Sequence, residues 1–143
     1  MMAFQKFDDV KTLALCIYGE ARGEGIDGML AVASVVAARA KMARKTIKAV
    51  CLQPRQFSCF NENDPNSEIL SRLAIEWDEH IETNRFLRQS YWIAKGMIEG
   101  YLMSNVGNAT HYHHISILPS WAGKLEKVTR IGKHQFYFEK GWK

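Results

Sequence analysis

Along the first twenty positions apolar residues recur with the spacing of one helix face. Val10, Leu13, Ala14, Ile17 and Tyr18 fall at i, i+3, i+4, i+7 and i+8 behind Asp8, a residue suited to cap a helix start. Gly19 and Gly23 weaken continuation, which predicts an end near Glu20, Ala21 and Arg22. A second helix is predicted over 28 to about 43, where Ala31, Ala33, Ala37, Ala38 and Ala40 are small enough to let a neighbouring backbone come close. Residues 46–52 read as a short helical turn stopped by Pro54, followed by 56–60 and a polar loop over 61–66. Another helix is expected over 67 to about 80, with Leu70, Leu73, Ala74 and Trp77 on one face. The next runs from about 84 to 102, with Leu87, Tyr91, Ala94, Ile98 and Tyr101 turned inward.

Past Gly107 the texture changes to β-branched and aromatic residues over 110–117. Residues 128–131 and 134–138, joined by Gly132 and Lys133, carry the pattern of a hairpin with a two-residue turn. The fold class that follows is α+β, helix-dominated, with a small β element at the C-terminal end. A length of 143 residues suits one domain over 1–143. Hydrophobic residues at 47%, with four Trp, five Tyr and seven Phe, can build a core without a disulfide scaffold.

A net charge of +4 favours polyanions, among them nucleic acid, anionic lipid and the bacterial wall, without choosing between them. Cys16, Cys51 and Cys59 show no CxxC or Cys/His spacing and are read as reduced thiols. The N-terminal residues lack the long apolar core of a secretory signal, and no apolar run is long enough to span a bilayer.

The segment Gly19-Glu20-Ala21-Arg22-Gly23-Glu24-Gly25 holds the most telling chemistry. A carboxylate at the end of an apolar helix, flanked by glycines, can face a cleft while its stem touches the core. Partial desolvation there favours the protonated form that a general acid needs. Taken alone, the same string reads more readily as surface charge at a helix end.

Four blocks in order shift that balance. Residues 18–24 followed by 28–39 resemble the N-terminal signature of SleB/CwlJ-type cell wall hydrolases, the spore cortex-lytic-like family. Residues 46–50 leading into Gln53-Pro54-Arg55-Gln56-Phe57-Ser58-Cys59-Phe60 are similar to its second block. Residues 107–113 with Pro119-Ser120-Trp121-Ala122 resemble the third, and 131–137 the last. The resemblance covers nearly the whole chain. It implies a compact lysozyme-like or lytic-transglycosylase-like fold, cleavage of the MurNAc–GlcNAc bond, and Glu20 as the catalytic acid and base. One carboxylate suffices for transglycosylation, whereas a hydrolase needs a second one about 5–9.5 Å away. Glu24 is the nearest in sequence and is assigned a supporting role, holding Arg22 or a backbone amide.

Gln56, Phe57, Ser58, His111, Tyr112, Trp121 and His134 are the expected substrate-binding residues, with Tyr112 facing the scissile sugar and Trp121 stacking on a sugar face. For Phe57 and Trp121 a plain core position is the competing reading. On a strand His111 and His113 share one face and Tyr112 and His114 the other. Zinc on His111 and His113, completed by His134, ranks below polar cleft-rim histidines, so no metal and no cofactor are expected. The expected partner is the peptidoglycan glycan strand, met by a monomer without membrane insertion and without nucleic acid.

The stretch Thr110-His111-Tyr112-His113-His114 departs from the aromatic and asparagine-rich version in spore enzymes. With no leader and no wall-binding domain in view, a phage-type endolysin is expected, made in the host cytoplasm and released through a holin. Two other classes compete. One is a helix-turn-helix nucleic-acid module flanked by Lys41, Arg44, Lys45 and Lys48; the other is a metal-dependent wall amidase using the histidines.

Overall fold

The computed structural model describes residues 7–54 and 56–143. Six α-helices precede a three-stranded sheet: α1 Asp9–Ala21, α2 Gly25–Ala43, α3 Ile47–Leu52, α4 Pro65–Ile75, α5 Trp77–Thr83 and α6 Arg85–Glu99, then β1 His111–His114, β2 Glu126–Ile131 and β3 His134–Phe138.

Helix α1 starts where its cap dictates. Asp8 accepts a hydrogen bond from the Lys11 amide at 2.8 Å. The helix is buried on every side from Thr12 to Tyr18, not on one face alone. A helix apolar all round belongs at the centre of a core, and α2, α3, α4 and α6 pack around this one. Leu13, Leu15 and Ile17 have no exposed surface, and each such side chain contributes roughly 1.5–3 kcal/mol by leaving water. Of the small residues of α2, Ala31, Ala33 and Ala40 are buried and Ala37 and Ala38 half-buried. Helix α2 begins three residues before the expected Gly28, at Gly25.

Between residues 56 and 102 the structure departs from expectation in where its helices begin, break and end. The segment after Pro54 forms a 3-10 turn over Ser58–Phe60. Helix α4 starts at Pro65, because Asp64 caps it through the Asn66 amide at 2.8 Å and proline suits the first helical position. The expected single helix to residue 80 is two helices, since Glu76 (φ −110°, ψ 37°) ends α4 and starts α5. That bend sets Trp77 edge-on to Phe7 and Tyr91, at 5.5 and 5.8 Å between ring centres. Helix α6 buries Leu87, Ser90, Ile93 and Ala94 and stops at Gly100, which takes φ 86°. Tyr101, expected inside, is 83% exposed because the chain leaves the helix before it, and Ile98, also expected inside, is 38% exposed in the last turn of α6.

The sheet order is β1-β3-β2, antiparallel throughout, and Gly132 at φ 56° opens the two-residue turn of the expected hairpin. Tyr112 pairs with Phe136 and His114 with His134, so these four share the face that meets the helices. Phe136 packs there against Ala31 and Val35 of α2, and Tyr112 touches both this small apolar cluster and the main core. Among the described residues no helix is long and apolar enough to cross a membrane.

Candidate active site

Glu20 is the penultimate residue of α1, half-buried where the apolar core opens. The Tyr112 hydroxyl donates to its Oε1 at 2.6 Å, across 92 positions of sequence. Burial first, and the Glu20 charge next, push the Tyr112 phenol well above its ordinary pKa. The phenol therefore stays a protonated donor, and the carboxylate oxygen is its acceptor. The ring is fixed by Phe136 and His134, each with its centre 5.4 Å away.

The backbone beneath Glu20 is held from the other side. A β-carbon at Gly19 would lie 2.6 Å from Cys59 Cβ and 2.8 Å from its Sγ, so only glycine lets Cys59 seat here. Cys16, Cys51 and Cys59 are free thiols, all buried. Cys59 is lowered by its bond with Cys16, but burial and the nearby Glu20 outweigh that and raise it.

Arg39 completes the surroundings. It is 6% exposed, donates Nε to the Thr110 carbonyl at 2.7 Å and Nη1 to Gln56 Oε1 at 2.9 Å. Its guanidinium lies over the rings of Phe57 and Trp142, at 5.3 and 5.0 Å. Burial lowers its pKa, while the neighbouring Tyr112, Cys16, Glu20 and Glu139 work the other way. A cation this deep normally needs a partner; here carbonyl oxygens and ring faces serve. Sequence reasoning alone does not single out Arg39. The available signal was an arginine between Ala38 and Ala40 on a helix otherwise built of small apolar residues.

The remaining expected residues divide into two groups. His134 is beside Tyr112, with Nδ1 3.9 Å from Glu24 Oε1. Burial pulls it below the ordinary imidazole value, Glu24 opposes this, and His114 adds to it. Glu24 thus faces His134 rather than holding Arg22. Arg22 turns instead to the Tyr18 carbonyl at 3.2 Å and to Asn66 Oδ1 at 2.8 Å, over the Tyr18 ring. Gln56 is half-buried with its carbonyl oxygen occupied by Arg39, Phe57 is a core residue at 2% exposure, and Ser58 is exposed.

His111 and Trp121 are on the opposite face of the sheet from Tyr112. Trp121 packs against His111, His113 and Tyr137, with ring centres 5.2, 5.8 and 5.4 Å apart. His111 turns to Thr110 Oγ1 at 2.9 Å and Glu139 at 3.7 Å. The same alternation parts His134 from the His111/His113 pair, so the three cannot form one zinc site. Among the described residues, no three His, Cys, Asp or Glu side chains are grouped to hold a metal ion.

Known proteins are similar to this chain in sequence and fold. The spore cortex-lytic enzyme of Oceanobacillus iheyensis is 30% identical over 132 residues, which is 90% of this chain and 41% of that protein. The enzyme of the same name from Bacillus cereus is 26% identical over 90% of this chain and 44% of its own length. The chain therefore spans less than half the length of these relatives. Among solved structures, the catalytic domain of the germination-specific lytic transglycosylase SleB from Bacillus anthracis superposes with a TM-score of 0.63 at 24% identity, covering 94% of this chain and 98% of that one. The catalytic domain of Bacillus cereus SleB gives 0.60 at 26% identity, over 91% and 89%. The helix-dominated fold with its terminal sheet is the fold of those catalytic domains. The family model described as Cell Wall Hydrolase matches residues 23–137, from just past Glu20 to the end of the sheet. By that match, this chain belongs to the cell wall hydrolase family.

Proposed function

We propose that this chain cleaves the MurNAc–GlcNAc bond of peptidoglycan as a lytic transglycosylase, with Glu20 as both acid and base. The observation that carries the reading is the Glu20 carboxylate, half-buried at the end of the central helix and held through one oxygen by Tyr112 at 2.6 Å. That contact leaves Oε2 as the oxygen to meet a substrate.

In the first half of the reaction Glu20 gives its proton to the glycosidic oxygen, and the bond from that oxygen to C1 of MurNAc breaks. In the second half the 6-hydroxyl of the same MurNAc bonds to C1 and returns its proton to Glu20. The products are a free GlcNAc 4-hydroxyl and a 1,6-anhydro sugar. No water is consumed and the carboxyl group is regenerated. Glu24 is the nearest acidic residue in sequence, and its pairing with His134 favours a supporting role over that of a nucleophile.

The test is mass spectrometry of the muropeptides released from purified sacculi by the wild type and by Glu20→Gln. Anhydro-muropeptides from the wild type, and none from the variant, are expected. Reducing ends would turn the reading to a hydrolytic muramidase. Free peptide stems would remove the glycosidase reading altogether.

A further inference from the structure

The charge of this chain is segregated along it. Between Asp27 and Glu62 there is no acidic residue, yet six cations occur there: Arg39, Lys41, Arg44, Lys45, Lys48 and Arg55. That leaves thirteen cations against fifteen acids elsewhere, so the net positive charge comes from this one stretch. Of the six, Arg39 is buried in the site already described. Lys41, Arg44 and Lys45 are exposed at the end of α2, and Lys48 follows on α3.

A second observation makes this end of the molecule more than a solvated helix terminus. Arg44 caps α2 with φ 55° and ψ 45°, the left-handed conformation that glycine adopts freely and residues with a β-carbon resist. Among the described residues it is the only non-glycine with positive φ. The same position after α6 is filled by Gly100. Cations do suit helix C-termini, but Lys41 already serves the last turn. A guanidinium therefore stands where backbone geometry asks for glycine.

We propose that Lys41, Arg44 and Lys45 form a docking face for a linear phosphodiester polyanion attached to the bacterial wall. Charge complementarity carries the assignment: three exposed cations in five positions, with no acid in the surrounding stretch. Asp9, at the start of α1, accepts a hydrogen bond at Oδ1 from the Lys48 amide at 2.9 Å. That contact also locates the face. It adjoins the first residue of α1, whereas Glu20 is eleven residues further along the same helix, about 16 Å at 1.5 Å per residue. A polymer held there leaves the Glu20 cleft open to a glycan strand. The choice of a wall polymer rests on the peptidoglycan reading above.

The experiment measures binding of the full chain, made non-cleaving by Glu20→Gln, to two wall preparations. One retains its phosphodiester polymers; the other has lost them to mild hydrofluoric acid. Three phosphate contacts predict a fall in affinity of roughly 20- to 40-fold between 50 and 200 mM salt on the intact walls. A Lys41→Gln, Arg44→Gly, Lys45→Gln variant is expected to bind intact walls at least tenfold more weakly at 50 mM salt and to lose that salt dependence. On extracted walls it should match its parent. Arg44→Gly alone guards against misfolding, since glycine relieves the cap, and it should melt no lower than the wild type while binding intact walls more weakly. Unchanged binding of the triple variant would overturn the proposal, as would an equal loss on extracted walls. Retention on duplex DNA as tight as on intact walls would reassign the face to nucleic acid. Soluble muropeptides released during the binding assay would report failure of Glu20 as the catalytic group, whereas loss of the difference between intact and extracted walls reports failure of the docking face, so the two outcomes are distinguishable.

Discussion

Tyr112→Phe isolates one hydrogen bond in the site. The substitution removes the hydroxyl that reaches Glu20 Oε1 at 2.6 Å and keeps the ring that packs on Phe136 and His134. A hydrogen bond of that length to a carboxylate belongs to the short, charge-assisted class, worth about 1.5–3 kcal/mol. If that energy acts in aiming Glu20 at the glycosidic oxygen, its loss lowers the turnover rate by about 10- to 150-fold, at 1.36 kcal/mol per tenfold. Stability should change less, by about 1 kcal/mol, because Glu20 is only half-buried and water can replace the phenol. The assay is the initial rate of muropeptide release from sacculi, read as kcat and KM, alongside a denaturation curve. A loss confined to kcat with a nearly unchanged curve is the expected result. Turnover within twofold of the wild type would refute the argument that Tyr112 positions the carboxylate.

Other predictions concern the frame around the site. Gly19→Ala places a β-carbon 2.6 Å from Cys59 Cβ, so overpacking should cost about 1–3 kcal/mol in chemical denaturation and reduce activity through the adjoining Glu20. His134 is held below the ordinary imidazole value, chiefly by burial. Between its folded value and the unfolded value of about 6.5 the unfolded chain binds more protons, so stability is full above that unfolded value and falls as pH drops through the window. Melting temperatures from pH 8 to 4.5 should therefore decline less for His134→Gln than for the wild type; parallel curves would exclude His134 as a source of acid sensitivity.

The local readings in the sequence succeeded where nearest neighbours carry the physics. Asp8 capping α1, the small residues of α2 and the Gly132 turn are each decided within a few positions. Where a local signal was misjudged, the error was also local. Asp64 and Pro65 together start α4 two residues early, and Gly100 ends α6 before Tyr101 can turn inward. The break at Glu76 is different. Nothing in that stretch is a helix breaker, and the bend accompanies the seating of Trp77 between Phe7 and Tyr91, contacts that no local window contains.

By itself, then, the sequence determined the helices with local caps and periodicity, the terminal hairpin, and Glu20 as the carboxylate to watch. The pairing of Glu20 with Tyr112 was decided by tertiary structure, since it joins the end of α1 to a strand 92 positions away. So was the separation of Trp121 and His111 from that face: alternation along β1 sorts its side chains, but only the packing of the sheet on α2 says which side meets the helices. Arg39 follows the same rule. Its partners come from Thr110, Gln56, Phe57 and Trp142, and no window of neighbouring residues contains the set.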